Sequence, residues 1–283
     1  MELTDKLKGI PTFYYFNTDH SETTNDHMSR NLKNLEVNYK RVSTSKYTKE
    51  NVKKWVGLLS DAREYKLPIA TAALSITILE TLKKWYEDTD EEQVIVSRDN
   101  IDFGIIQYWP FDWSDLMEKI PYDWDCFLVG FESTSQIPCY LHPIIPGHNF
   151  SVAVLNRRYV RKLLRLHCVD GKYKLVNRIA DQNFGFRSGT PDYFIGHCGK
   201  TYCMPLFPTH TDFVKKGTKK YVLSKACRLA YYQWWRSDSD LEIEGQHNKH
   251  SFEELFTYGK PNDYGMIKTI PTKVLFEMVE IKK

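Results

Sequence analysis

The stretch Gln93-Val94-Ile95-Val96-Ser97-Arg98-Asp99-Asn100-Ile101-Asp102 passes from a short apolar run into a polar turn. The run is preceded by an acidic loop over residues 88–92, and its length and apolar character predict a central parallel strand. The residues after Val96 then form that strand's C-terminal exit, the end at which open α/β sheets bind ligands. A pair or trio of acids there would read as a cation site. Here a guanidinium, Arg98, and an amide, Asn100, are interleaved with Asp99 and Asp102.

Outward from this strand, helices and strands alternate. Thr12-Phe13-Tyr14-Tyr15-Phe16-Asn17 is aromatic and β-branched and predicts a first strand, ending in the polar turn Thr18-Asp19-His20. Ser21 is placed to cap a helix whose apolar face is Met28, Leu32 and Leu35. Residues 37–42 read as a second strand and residues 49–59 as a helix. Pro68 opens a helix rich in small residues that runs to Trp85 or Tyr86. Beyond Asp102, the pattern predicts a helix over 113–120 capped by Asp112, strands over 125–129 and 150–155, and a helix over 157–167 capped by Asn156. A helical-looking piece falls at 180–183, and a strand over 200–205 ends at Pro205. The rule for open sheets therefore points to residues 17–19, residues 99–102 and the turn after Val129 as one crevice.

Composition narrows the function classes. A chain of 283 residues has room for one large α/β domain with an appendage. With 39 Lys and Arg against 36 Asp and Glu, its formal charge of +3 does not mark a nucleic-acid binder. The local groups Arg157, Arg158, Arg161, Lys162, Arg165 and Lys215, Lys216, Lys219, Lys220 read as solvated faces. The 6 cysteines lack CxxC spacing and no long apolar segment precedes Pro11, so the expectation is a reduced, cytoplasmic chain with no membrane span. Gly-x-Gly-x-x-Gly after a strand, a Walker loop and Gly-x-Ser-x-Gly are all absent, which removes the main support for dinucleotide, P-loop and serine-hydrolase readings. His167-Cys168 and His197-Cys198, with Cys203 further on, offer nitrogen and sulfur ligands at a spacing that fits no common zinc module. The aromatic block Tyr231-Tyr232-Gln233-Trp234-Trp235 reads as an anchor for a C-terminal element.

Several stretches, taken in order, resemble glycosyltransferase family 25, the lipooligosaccharide and collagen galactosyltransferase group, and most of all the members carried by T4-like cyanophages. Ile10-Pro11-Thr12-Phe13-Tyr14-Tyr15-Phe16-Asn17 followed by Asp26-His27-Met28 resembles the family's opening strand and helix. Thr71-Ala72-Ala73-Leu74-Ser75-Ile76 is similar to its Gly-Cys-Ala-Leu-Ser-His, and residues 93–103 occupy the place of its strand ending in Glu-Asp-Asp. Tyr122-Asp123-Trp124-Asp125-Cys126, the pair Ala180-Asp181, and Tyr202-Cys203-Met204-Pro205-Leu206-Phe207 complete the series.

The resemblance implies a GT-A type, Rossmann-like nucleotide-diphospho-sugar transferase fold with a mixed central sheet flanked by helices, over residues 1–213, and a helical and aromatic extension over 214–283 packed on it. It also implies a nucleotide-sugar donor, Mn2+ or Mg2+, and transfer of one sugar to a hydroxyl of a glycan, a protein or a modified DNA base. A phage-encoded chain would act in the host cytoplasm or travel in the virion. On this resemblance Asn17, Thr18, Asp19, Ser75, Arg98 and Asn100 bind the donor, Asp99 and Asp102 are the acids available to a metal, and Asp99 and Asp181 are catalytic, with Asp181 nearest the acceptor.

This chain departs from the family where the chemistry matters. Arg98-Asp99-Asn100 stands in place of Glu-Asp-Asp, and Ile76 in place of histidine. Two readings follow. In one, the Arg98 guanidinium takes over the metal's work by donating to phosphate oxygens. In the other, catalysis is lost and the fold persists as a virion or partner-binding component, with Arg98 and Asp99 an ordinary ion pair.

Overall fold

In the computed structural model, which describes residues 2–19, 21–47, 56–57, 68–134, 136–138, 140–145, 147–175, 190–236 and 269–271, the core is built on a seven-stranded mixed sheet. In chain order the described elements begin with α1 (Leu3–Lys6), β1 (Phe13–Asn17), α2 (Glu22–Asn34), β2 (Tyr39–Ser43), β3 (Val56–Gly57), α3 (Ile69–Asp88) and β4 (Gln93–Arg98). A 3-10 turn at Gly104–Tyr108 follows, then α4 (Trp113–Lys119), β5 (Cys126–Ser133), β6 (Gln136–Pro138), β7 (His142–Pro143), β8 (His148–Asn156) and α5 (Arg157–His167). The remainder comprises β9 (Cys168–Val169), β10 (Lys172–Lys174), α6 (Pro191–His197), β11 (Thr201–Cys203), α7 (Lys219–Trp235) and β12 (Thr269–Pro271).

The large sheet runs β2-β1-β4-β8-β5-β11-β7. β4 is central, as its apolar run predicts, and pairs in parallel with β1, Phe13 opposite Ile95. Its other edge differs from expectation: β8 runs antiparallel between β4 and β5, with Val154 opposite Ile95 and Phe127 opposite Val154. An apolar run reports that both faces are covered and is blind to the direction of the neighbour. All eight residues of β5 are buried. At Gly130 its register against β8 shifts, and the strand continues to Ser133 where a turn after Val129 was expected. A Cβ on Gly130 would lie 2.7 Å from the Phe207 carbonyl oxygen and 2.8 Å from Val152, so only glycine lets the two segments close.

Local chemistry sets several helix starts. The Asn156 Oδ1 accepts from the Tyr159 N–H at 2.7 Å, starting α5, and Asp112 with Asp115 forms a capping box on α4. Ser21 stands at the N-cap of α2, but its hydroxyl goes to Thr24 Oγ1 at 2.6 Å. Of the basic group on α5, Arg158, Arg161, Lys162 and Arg165 are exposed as a solvated face, whereas Arg157 is structural: its guanidinium lies 4.5 Å from the Tyr86 ring centroid and donates to the Tyr86 carbonyl, fastening α5 to the end of α3. The helix expected over 49–59 is corrected where it is described. Val56–Gly57 is a strand, drawn into parallel pairing with Tyr173 and Lys174, and pairing with a partner remote in sequence overrides local pattern. The segment 180–183, with Asp181, lies outside the described residues.

α7 lies against β5 through its aromatic residues. The Tyr231 hydroxyl donates to the Phe131 carbonyl at 2.8 Å and accepts from its N–H at 2.9 Å, and Trp235 Nε1 donates to the Pro205 carbonyl at 2.6 Å. Tyr231 is fully buried and Trp234 and Trp235 nearly so, each contributing on the order of 2 kcal/mol of apolar burial. No described helix is long and apolar enough to cross a membrane. Cys126, Cys168, Cys198, Cys203 and Cys227 are free thiols.

Candidate functional site

The carboxyl ends of β1 and β4 meet through their terminal polar residues. Asn17 is buried, and its Nδ2 donates to Asp99 Oδ2 at 2.7 Å and to Thr24 Oγ1 at 2.9 Å. Thr24, on the first turn of α2, adds its hydroxyl to the same Asp99 oxygen at 2.9 Å. Arg41 on β2 donates to Asn17 Oδ1 at 3.0 Å and reaches Asp19 at 3.3 Å. The turn beyond β4 is held from the far side as well. The His210 N–H donates to the Asn100 carbonyl at 2.7 Å, the Asp102 N–H to the Pro208 carbonyl at 2.9 Å, and His27 Nε2 lies 2.7 Å from the Ile101 carbonyl oxygen.

A cleft of about 560 Å3 opens over these ends, walled by Thr18, Ser97, Arg98, Asp99, Asn100 and Phe150, and by Ile69, Ala70 and Ala73 from the start of α3. A second chamber of about 330 Å3 is lined by Glu132, Asn149, Ser151, Asp192, Lys219 and Leu223. Arg98, Asn100, Phe150 and Lys220 line both. Arg98 therefore sits between the chambers. Its Nε donates to the Phe150 carbonyl at 2.8 Å, its Nη2 pairs with Asp192 at 3.1 Å, and its plane lies 5.8 Å from the Phe150 ring centroid. Backbone, carboxylate and ring together set the direction of the guanidinium.

Of the residues singled out in the sequence, Asn17, Asp99, Arg98, Asn100 and Thr18 converge here, and Asp19 lies close by through Arg41. Ser75 is buried in α3, with its hydroxyl donating to the Thr71 carbonyl at 2.8 Å, and does not line the cleft. Asp102 is likewise absent from the lining. It is 5% exposed, and its carboxylate accepts from Arg228 Nε at 2.6 Å, Tyr232 OH at 3.0 Å and the Gly104 N–H at 2.9 Å. In that position it fastens α7 to the turn after β4.

Four residues enter the site unannounced: Glu132, Asp192, Lys219 and Lys220. Three left a trace in the sequence, since Glu132 follows an apolar run as Asp99 does, and the two lysines belong to the basic group before the aromatic block. Glu132 is buried, with one oxygen 2.5 Å from the Ser224 hydroxyl on α7. Burial, and after it a hydrogen bond to Glu80, pushes the Tyr47 phenol up, so this part of the wall stays neutral. Burial also lowers the His210 imidazole below its usual value, against the opposing pull of Asp102.

The cleft's donor set does not fit a divalent ion. Hard cations take several oxygen ligands. Among the described residues the cleft wall beside Asp99 supplies an amide and a guanidinium, and one Asp99 oxygen already accepts two hydrogen bonds. Arg98 and Lys220 are the two cations that line both chambers.

No family model matches the chain, and its sequence matches none of the curated proteins. Among solved structures, A197 from STIV superposes with a TM-score of 0.39 at 11% identity, over 70% of this chain and 84% of that one. The apo form of mouse xyloside xylosyltransferase 1 gives 0.28 and 11%, over 65% and 67%. Likenesses of this size carry no argument about chemistry. The fold is a mixed α/β sheet flanked by helices, with a two-chambered cleft at the carboxyl edge of its central strands.

Proposed function

We propose that the protein is a glycosyltransferase that binds a nucleotide-sugar in the larger chamber and an acceptor hydroxyl in the smaller one, with its diphosphate on Arg98 and Lys220 in place of Mn2+ or Mg2+. The observation that carries this reading is the position of Arg98 between two chambers, oriented by Phe150 and Asp192. In the reaction the acceptor oxygen bonds to the anomeric carbon and gives its proton to a carboxylate. The bond from that carbon to the diphosphate oxygen breaks, and its electron pair leaves on the phosphate. Charge develops on that oxygen, which is where the fixed Arg98 guanidinium, helped by the exposed Lys220 ammonium, lowers the barrier. Glu132 is the buried carboxylate of the acceptor chamber and our choice of base. Asp181, the base suggested by family resemblance, lies outside the described residues.

A second reading, a non-catalytic binding protein on the same fold, is favoured by one observation: Asp99 and Arg98 each already have internal partners. A panel of UDP-, GDP- and CDP-sugars, with and without Mn2+, separates the two by thermal shift and donor hydrolysis. The enzyme reading predicts a shift and slow hydrolysis with one nucleotide, independent of metal. Silence toward every donor would overturn it and favour the binding protein.

A further inference from the structure

Away from the cleft, β7, β8 and β11 bring three soft or borderline ligands together in the core. The ligating atoms of His142, His148 and Cys203 all lie within 4.8 Å of one another, and the residues are 2%, 1% and 0% exposed. The sequence brackets them poorly: Cys203 pairs across the sheet with His142, while the dyads His167-Cys168 and His197-Cys198 fall elsewhere. The cysteine considered as a ligand is therefore in place, but with different histidines.

The state of His142 is specific. Its Nδ1 lies 2.8 Å from the Tyr140 carbonyl oxygen, an acceptor, so that nitrogen carries the proton and Nε2 keeps its lone pair. Nε2 is buried and has no hydrogen-bond partner. A core imidazole that serves only packing is expected to have both nitrogens satisfied. His167 shares this pattern, with Nδ1 on the Lys174 carbonyl and Nε2 bare; what sets His142 apart is that a second imidazole and a thiol converge with it among the described residues, so its backbone-held Nδ1 becomes the outer-shell support of a ligand. Phe131 stacks on His148 at 4.3 Å between ring centroids and closes the cluster on one side.

We propose that His142, His148 and Cys203 bind one thiophilic d10 cation, Zn2+ or Cu+, as a staple joining β7, β8 and β11. The two ions share the chemistry of two neutral imidazoles and one thiolate, with the thiol proton leaving to solvent on binding. They differ in charge. Cu+ with this set is neutral and three-coordinate, whereas Zn2+ leaves one positive charge and calls for a fourth ligand. The site is independent of the cleft and of the function assigned to it, since none of its residues lines either chamber.

The test is reconstitution of the full chain under reducing conditions, with Zn2+ in one arm and Cu+ in the other. One equivalent of metal should survive desalting in at least one arm, and X-ray absorption should show one sulfur and two nitrogen scatterers. Cys203→Ala and His142→Gln should each lose the bound equivalent while keeping the far-ultraviolet circular dichroism spectrum of the wild type. Should either variant fail to fold, the scattering shell of the wild-type protein decides alone. Absence of stoichiometric metal in both arms, a shell without sulfur, or equal retention by folded Cys203→Ala would each overturn the proposal.

Discussion

Asp102→Ala discriminates between a metal ligand and a structural carboxylate. The Asp102 side chain is buried and receives three donors, Arg228 Nε at 2.6 Å, the Gly104 N–H at 2.9 Å and Tyr232 OH at 3.0 Å. Removing it strands a guanidinium and two neutral donors at the junction of α7 with the turn after β4. Breaking a fully buried ion pair costs about 3–5 kcal/mol. The Arg228 side chain is 32% exposed, so water recovers part of that loss, and about 3 kcal/mol is the expected cost. At roughly 3 °C per kcal/mol for a domain of this size, the melting temperature should fall by about 9 °C. Thermal unfolding followed by circular dichroism measures it, and Asp102→Asn, which keeps one acceptor, should fall between. A variant that melts with the wild type but loses a metal-dependent nucleotide affinity would refute the structural assignment and return Asp102 to the site.

Other consequences are more local. Gly130→Ala places a methyl against the Phe207 carbonyl and Val152, and should cost about 2 kcal/mol in denaturant unfolding, whereas Gly217→Ala, with open space around it but a positive φ, should cost less. Burial holds His167 below its usual pKa while its Nδ1 lies against the Lys174 carbonyl. The unfolded chain then binds the extra proton first, so stability should be full above about pH 6.5 and decline as pH falls below it; His167→Phe should flatten that slope in urea titrations across the acid range. Glu132→Gln should leave donor affinity intact and reduce transfer by about a hundredfold or more, the usual contribution of a general base; equal turnover would remove Glu132 from the mechanism.

What was legible in the sequence was local. The caps at Asp112 and Asn156 and the apolar runs of β1 and β4 follow from side chains acting within a few residues of themselves, while the arrival of Asn17 and Asp99 at one edge, 82 positions apart, follows from the rule that open sheets gather their polar turns at the carboxyl ends of the strands. What stayed hidden depends on pairing across long separations. The insertion of antiparallel β8 between β4 and β5 leaves no mark on the period of either strand. Arg98 meets Asp192 across 94 positions and Asp102 meets Arg228 across 126, so the same short stretch sends one residue into the cleft and another beneath α7. Lys219 and Lys220 look like any solvated pair until α7 carries them over the chambers.

In the proposed reaction Arg98 does the work of a metal. Isothermal titration of UDP, GDP and CDP in EDTA, with the wild type and with Arg98→Met, measures whether it does. One nucleotide should bind the wild type in EDTA, and Arg98→Met should weaken that binding by about tenfold or more, the loss of a charge-assisted contact worth about 1.4 kcal/mol. Binding that requires Mn2+ and is indifferent to Arg98→Met would contradict it.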